Sequence, residues 1–155
     1  MTTHVGLTAR ALGADRVVFP ENATDAVETT RDITDRFGGP FGVETTASPL
    51  GLLRDWDGDV VHLTMYGEPI QGRIEEVRSA HGDTALLVVV GSAKVPFSVY
   101  EVATWNVAVT NQPHSEVAGL AVFLDHLFDG RELDREWADA EKRVIPKARG
   151  KHVEN

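Results

Sequence analysis

Residues 86–96 and 107–128 repeat one plan, and that plan narrows the folds open to this chain. Leu86-Leu87-Val88-Val89-Val90 is an unbroken apolar run that ends at Gly91 in the loop Ser92-Ala93-Lys94-Val95-Pro96. Val107-Ala108-Val109 likewise breaks into Thr110-Asn111-Gln112-Pro113-His114, after which Ser115 and Glu116 open a long apolar stretch to Phe128. An apolar run without alternation reads as a strand buried on both faces, the habit of parallel sheets. Two such strands, each ending in a loop that opens a helix, are how an α/β fold places a ligand beyond the carboxyl ends of its strands. The two loops are expected to converge on one ligand.

The rest of the chain keeps the same alternation. The spacing predicts a helix over THVGLTARALGA, with Val5, Leu7, Ala9 and Leu12 as its apolar stripe and Gly13 as its stop. RVVF is a short strand ending at Pro20. Residues 22–37 read as a helix with Val27, Ile33 and Phe37 on one side, closed by Gly38-Gly39-Pro40. FGVETT is a strand, and SPLGLLRDW a short helix with Pro49 in its first turn. DVVHLTMYG is a buried strand with a loop at Gly67, followed by an amphipathic helix over 69–79. Then come a strand at 84–90, a helical turn after Pro96, a strand at 105–109 and a helix at 115–128. The order predicts one α/β domain over residues 1–155, a mostly parallel sheet with helices on both faces. Because a helix comes first, either the sheet starts at RVVF or a strand belongs upstream of Met1.

Composition bounds the setting. At 155 residues and 42% hydrophobic, the chain suits a single domain with a proper core. It has no apolar run long enough for a membrane span and no signal or transit character at its start. Zero cysteines exclude disulfides and thiolate metal sites and suit a soluble, cytoplasmic protein. The formal charge is −9, from 24 acidic and 15 basic residues, and the basic ones are mostly arginine. An acidic, lysine-poor surface fits either salt adaptation or an ordinary acidic protein; in high salt, net charge says little about RNA binding. Residues 141–155 run against the trend, with Lys142, Arg143, Lys147, Arg149 and Lys151 against Glu141 and Glu154. This basic tail is either a solvated end or a phosphate contact. The six histidines show no i,i+4 or HxxE pattern, so no metal is expected.

Four segments together carry a resemblance: TTHVGLTARALGAD at the start, VHLTMYG at 61–67, VVGSAKVP at 89–96, and NVAVTNQPHSEVAGLAVFLDHL at 106–127. Over nearly its whole length the chain resembles the SPOUT superfamily of knotted RNA methyltransferases. Within it, the chain looks like the archaeal tRNA ribose 2′-O-methyltransferases that act on the T-loop cytidine at position 56. The resemblance implies a deep C-terminal trefoil knot, a homodimer with sites at the subunit interface, and tRNA as substrate. It also implies S-adenosyl-L-methionine, held bent by two loops with Leu63 as an apolar wall. One loop is Gly91, Ser92, Ala93, Lys94 and Val95; the other is Val109, Thr110, Asn111, Gln112, Pro113, His114, Ser115 and Glu116. Relatives usually carry a strand and a basic stretch before TTHV, which this chain lacks; a valine codon read as the start at Met1 would produce that difference. They also tend to have an acidic residue where Ser92-Ala93 stands.

By the same resemblance Arg10 is the catalytic residue. Read alone, it is a helix-surface arginine paired with Asp15 or another acid. Arginine keeps its proton at any ordinary pH and is a poor general base, which favours stabilisation of a developing 2′-oxyanion and the adjacent phosphate over proton removal. Gly91 alone would be a strand-end turn glycine, and Leu63 alone a core residue. Ser115 and Glu116 suit a helix N-terminus, a role compatible with ligand contact. Asn111 and Gln112 bring amide donors and acceptors. Two further readings stay open: methylation of another tRNA or rRNA ribose, and a non-catalytic RNA- or nucleotide-binding domain.

Overall fold

The computed structural model describes residues 2–91 and 94–155, so Ser92 and Ala93 lie outside the described residues. The elements follow the expected alternation: α1 (Thr2–Ala11), β1 (Arg16–Pro20), α2 (Thr24–Phe37), β2 (Gly42–Thr46), α3 (Pro49–Asp55) and β3 (Asp59–Pro69). A 3-10 turn at Ile70–Gly72 leads into α4 (Ile74–His81), followed by β4 (Leu86–Val90), α5 (Phe97–Val102), β5 (Trp105–Ala108) and α6 (Glu116–Phe128). A second 3-10 turn at Arg131–Asp134 precedes β6 (Arg143–Ile145) and β7 (His152–Glu154).

The first five strands are parallel where they pair, but they divide between two sheets instead of forming one. β1 pairs with β2 from Arg16↔Gly42 to Pro20↔Thr46. β3 lies between β4 and β5, in the order β4-β3-β5. The β3–β5 register breaks after Leu63↔Val107 and resumes at Glu68↔Val107, so residues 64–67 bulge out of the ladder. A bulge of this kind re-aims side chains at the end of a strand.

One face of β4-β3-β5 carries the main core. Val61 and Val107 point down onto Ile74 and Val77 of α4, Leu120, Phe123, Leu124 and Leu127 of α6, and Ala9 of α1. The i, i+3, i+4, i+7 spacing of the α6 residues gives that helix its buried stripe. On the opposite face, where alternation along β3 sends His62, α5 supplies Tyr100, whose ring meets the imidazole edge-on. The smaller β1-β2 sheet has its own cluster of Phe19, Ala26 and Val27. Leu7, expected in the α1 stripe, instead lines an open groove between α1 and α6.

The tail forms an exposed hairpin. β6 and β7 pair antiparallel, with Val144 opposite Val153, and leave Lys147, Arg149 and Lys151 in and beside the connecting turn. Before the hairpin, the chain lies against the end of α2: Gly39 N donates to Asp139 Oδ1 at 3.0 Å, and Lys142 N donates to Arg36 O at 2.8 Å.

Candidate active site

Three chain turns meet at the carboxyl end of the three-stranded sheet because β3, β4 and β5 run the same way. β4 ends at Val90, opposite Leu63, and continues into Gly91; β5 ends at Ala108 and continues into Val109 and Thr110. Leu63 is half-buried between them, and the bulge 64–67 rises beside it.

Asn111 ties two of these turns together. Its side-chain amide donates to Met65 O at 2.7 Å and to Gly67 O at 3.1 Å, so the loop after β5 is clasped to the bulge of β3. Gly67 itself packs on β5, and a Cβ there would sit 2.5 Å from the Asn106 carbonyl carbon. Thr110 takes a left-handed conformation with φ 58°, a placement that β-branched residues adopt only under constraint. Its hydroxyl accepts from Gln112 N at 3.3 Å. Ser115 caps α6 by accepting from Ala118 N at 3.2 Å, as its position before an apolar helix predicts. Residues Thr110 to Ser115 are exposed and Glu116 is half-buried.

Under this surface lies a buried polar network that sequence reasoning passed over. His62 is 1% exposed, and its Nδ1 is 2.9 Å from Asn106 Oδ1. Asn106 uses its amide nitrogen to donate to Tyr100 O at 3.0 Å, which leaves Oδ1 as acceptor and assigns the proton to His62 Nδ1. Nε2 then faces the β4 end, 3.8 Å from where a Gly91 Cβ would stand. Burial lowers the His62 pKa, and the bond to Asn106 opposes this only in part. Tyr100 OH and Thr64 Oγ1 complete the set at 3.1 Å. The available signal was a histidine and an asparagine inside apolar strands, in DVVHL and WNVAV.

Of the residues expected at the two loops, the structure gathers Leu63, Gly91, Val95, Val109, Thr110 and Asn111 at one end of the three-stranded sheet. A Cβ on Gly91 would run into Val95, so the turn is closed to a side chain there. Lys94 is exposed. His114 turns back on the start of α6, its Nδ1 2.8 Å from Ser115 O and its ring against Gly119.

Arg10 stands elsewhere. It is 8% exposed and faces α2 and the tail, with Nη2 donating to Gly38 O at 2.6 Å and its guanidinium carbon 4.9 Å from the Trp137 ring. Asp15 does not pair with it, nor does any carboxylate among the described residues. The opposite side of α1 presents His4, Leu7, Thr8 and Ala11 to the groove of about 600 Å³, whose other wall is Ser115, Val117 and Ala121 of the α6 segment.

Among known proteins, residues 37–154 match the family model described as tRNA ribose 2′-O-methyltransferase, aTrm56. A protein of Halobacterium salinarum named tRNA (cytidine(56)-2′-O)-methyltransferase is 67% identical over 153 residues, covering 99% of this chain and 80% of its own length. A protein of the same name from Natronomonas pharaonis is 66% identical over 154 residues, covering 99% of this chain and 86% of its own length. A third, from Thermococcus kodakarensis, is 48% identical over 157 residues, with 99% and 87% covered. The acidic, lysine-poor composition accords with the relatives from halophilic archaea. With the alternating α/β order, the gathered strand ends and these matches in hand, the chain belongs to the tRNA ribose 2′-O-methyltransferase family.

Proposed function

We propose that this protein methylates the 2′-hydroxyl of the cytidine at position 56 of tRNA, with S-adenosyl-L-methionine as donor. The observation that carries the reading is the identity of 67% across 99% of the chain to a protein named for that reaction. The convergence of the turns after β3, β4 and β5 on one sheet end supports it. S-adenosyl-L-methionine supplies an electrophilic methyl group. The residues present fit it: Gly91 brings no side chain of its own to the turn, where Val95 packs against it, and the Asn111 clasp holds the facing loop, whose residues Thr110 to Ser115 are exposed. Gly91, Lys94, Val95 and residues 109–116 are assigned to the donor with Leu63 as the apolar wall; Ser92 and Ala93 belong to the same assignment from the resemblance.

Transfer would join the ribose 2′-oxygen to the donor's methyl carbon as the methyl–sulfur bond breaks, with the hydroxyl proton passing to water. Fixing the hydroxyl in line can supply roughly 7–11 kcal/mol of the barrier. Arg10 is assigned to the hydroxyl and its adjacent phosphate, as a cation that stabilises the developing oxyanion. Since Arg10 and Ser115 lie on different sides of α1, the reading takes Arg10 from one subunit to the donor loops of another. The subunit contact is assigned to the α1–α6 groove, where Leu7, Ala11, Val117 and Ala121 form an open apolar surface, and Val122 beside it is 39% exposed. The donor loops are assigned to a trefoil knot within a single domain, and the basic β6–β7 hairpin to tRNA phosphates. No helix among the described residues is long and apolar enough to cross a membrane; we assign the enzyme to the cytoplasm, without a metal.

The test is methyl incorporation from labelled S-adenosyl-L-methionine into tRNA transcripts. The expected result is one methyl per tRNA, lost when position 56 carries 2′-deoxycytidine. Incorporation unchanged by that replacement refutes the target. Arg10→Ala is expected to abolish transfer while leaving donor affinity within a few-fold.

A further inference from the structure

Arg10 is a buried cation without a counter-charge. Its side chain is enclosed, Nε has no hydrogen-bond partner, and no carboxylate among the described residues pairs with it. Burial alone pulls its pKa down from the ordinary arginine value. A guanidinium taken out of water normally acquires an anionic partner. Here two neutral groups hold it: the Gly38 carbonyl in its plane and the face of Trp137 above it.

The surroundings of Trp137 are built to keep that roof in place. Gly39 has φ +94°, and a Cβ there would stand 2.7–2.8 Å from three atoms of the indole, so only glycine lets the ring close down. The strand-less segment carrying Trp137 is pinned a few residues later, by Gly39 N on Asp139 Oδ1 and Lys142 N on Arg36 O. The Gly38 carbonyl that receives Arg10 shares its peptide plane with Gly39 N, so the bond to Asp139 Oδ1 also orients it.

We propose that Trp137 is a positioning residue for Arg10, its ring fixing the guanidinium, whose charge no carboxylate neutralises, in the orientation in which it meets an anionic oxygen of the RNA. The inference rests on the reading of Arg10 as the group that meets the substrate. The aromatic face attracts the cation without neutralising it, as a carboxylate would. An arginine clamped by a carboxylate has spent its charge; one clamped by a ring has not. Freezing the long side chain beforehand also removes an ordering cost from the transfer step.

The experiment compares Trp137→Leu, which keeps apolar bulk, with Trp137→Phe, which keeps the aromatic face, on the full-length chain. Leu is expected to lower kcat about tenfold, the scale of rotamer freedom regained by a long side chain, with tRNA KM and donor Kd within twofold. Phe is expected to retain most of kcat. Wild-type kcat in folded Trp137→Leu, or an equal loss in both variants, overturns the proposal. Arg10→Ala in the same assay separates the two levels: full turnover there removes the role of Arg10 itself, whereas an inactive Arg10→Ala beside a fully active Trp137→Leu removes only the positioning role. The wild-type protein gives an independent reading if the variants do not fold. The Arg10 Nε–H resonance, assigned through Arg10→Lys, is expected to be shifted by the indole ring current, and a signal at the position of exposed arginines overturns the proposal.

Discussion

His62 and Asn106 face each other across adjacent parallel strands, with the imidazole Nδ1–H donating to the amide oxygen at 2.9 Å. The bond fixes the neutral tautomer, and burial holds the folded-state pKa of His62 below the ordinary 6.5. Between that lowered value and 6.5 the unfolded chain binds more protons than the folded one. The stability from this group is therefore complete above pH 6.5 and is lost as pH falls through the folded-state value. Denaturant titrations from pH 8 to 5 are expected to show this decline, and His62→Gln to flatten it. An equal decline in the variant assigns the acid sensitivity to other groups.

Glu132 titrates in the opposite sense. It is 3% exposed, neither carboxyl oxygen has a hydrogen-bond partner, and burial, with Asp125 adding to it, raises its pKa. The folded state then holds a proton that the unfolded state has released. The resulting loss of stability sets in as pH rises above the ordinary carboxyl value, and is complete above the raised one. Glu132→Gln keeps the shape without the charge, so the variant is expected to melt higher than wild type at pH 7.5. The gain should shrink toward pH 4.5. A variant that melts lower at pH 7.5 would show that the ionised carboxylate has a stabilising partner.

The clasp of Asn111 on Met65 and Gly67 is two hydrogen bonds from one side chain. At about 0.5–1.5 kcal/mol for each bond, Asn111→Ala is expected to lower the melting temperature by several degrees and, by loosening the loop, to weaken S-adenosyl-L-methionine binding by about tenfold. Titration calorimetry checks it, and an unchanged Kd would show that the loop holds its shape without the clasp.

Ala121 lies on the α6 wall of the groove, away from the main core. Ala121→Glu places a charge on the surface assigned to the subunit contact. Light scattering in high salt at micromolar concentration is expected to show a dimer for the wild type and a monomer for the variant. A wild-type monomer with full activity would refute the shared site.

The strands and helices that build the active end were legible because single local signals specify them. LLVVV and DVVHL are apolar runs, and Ser115 stands where a helix cap belongs. The hairpin was not legible: RVI and HVE are three-residue strands, paired on an exposed surface and set among charges that read as a solvated end. Arg10 was marked by a resemblance, but its surroundings were hidden. Gly38 is 28 positions away and Trp137 further still, and no periodicity links them. His62 was visible as a polar residue in an apolar strand, yet only pairing with β5 brings Asn106 opposite it. What local pattern conveys is the ladder of elements; what it misses are contacts made after the ladder is assembled.

The strap over Arg10 also sets a timetable. Gly39 and Asp139 are 100 positions apart, and α1 leaves the ribosome well before the segment that carries Trp137. At about 5–20 residues per second, roughly 6–25 s pass between synthesis of Arg10 and synthesis of Trp137. During that interval the guanidinium is hydrated, and the α2 end has nothing against it. Closing so distant a contact is slow relative to forming helices and neighbouring strands. The nascent chain can thus complete its parallel strands and the turns that follow them while its arginine is still loose, and the enclosure of that arginine is a late event of biosynthesis.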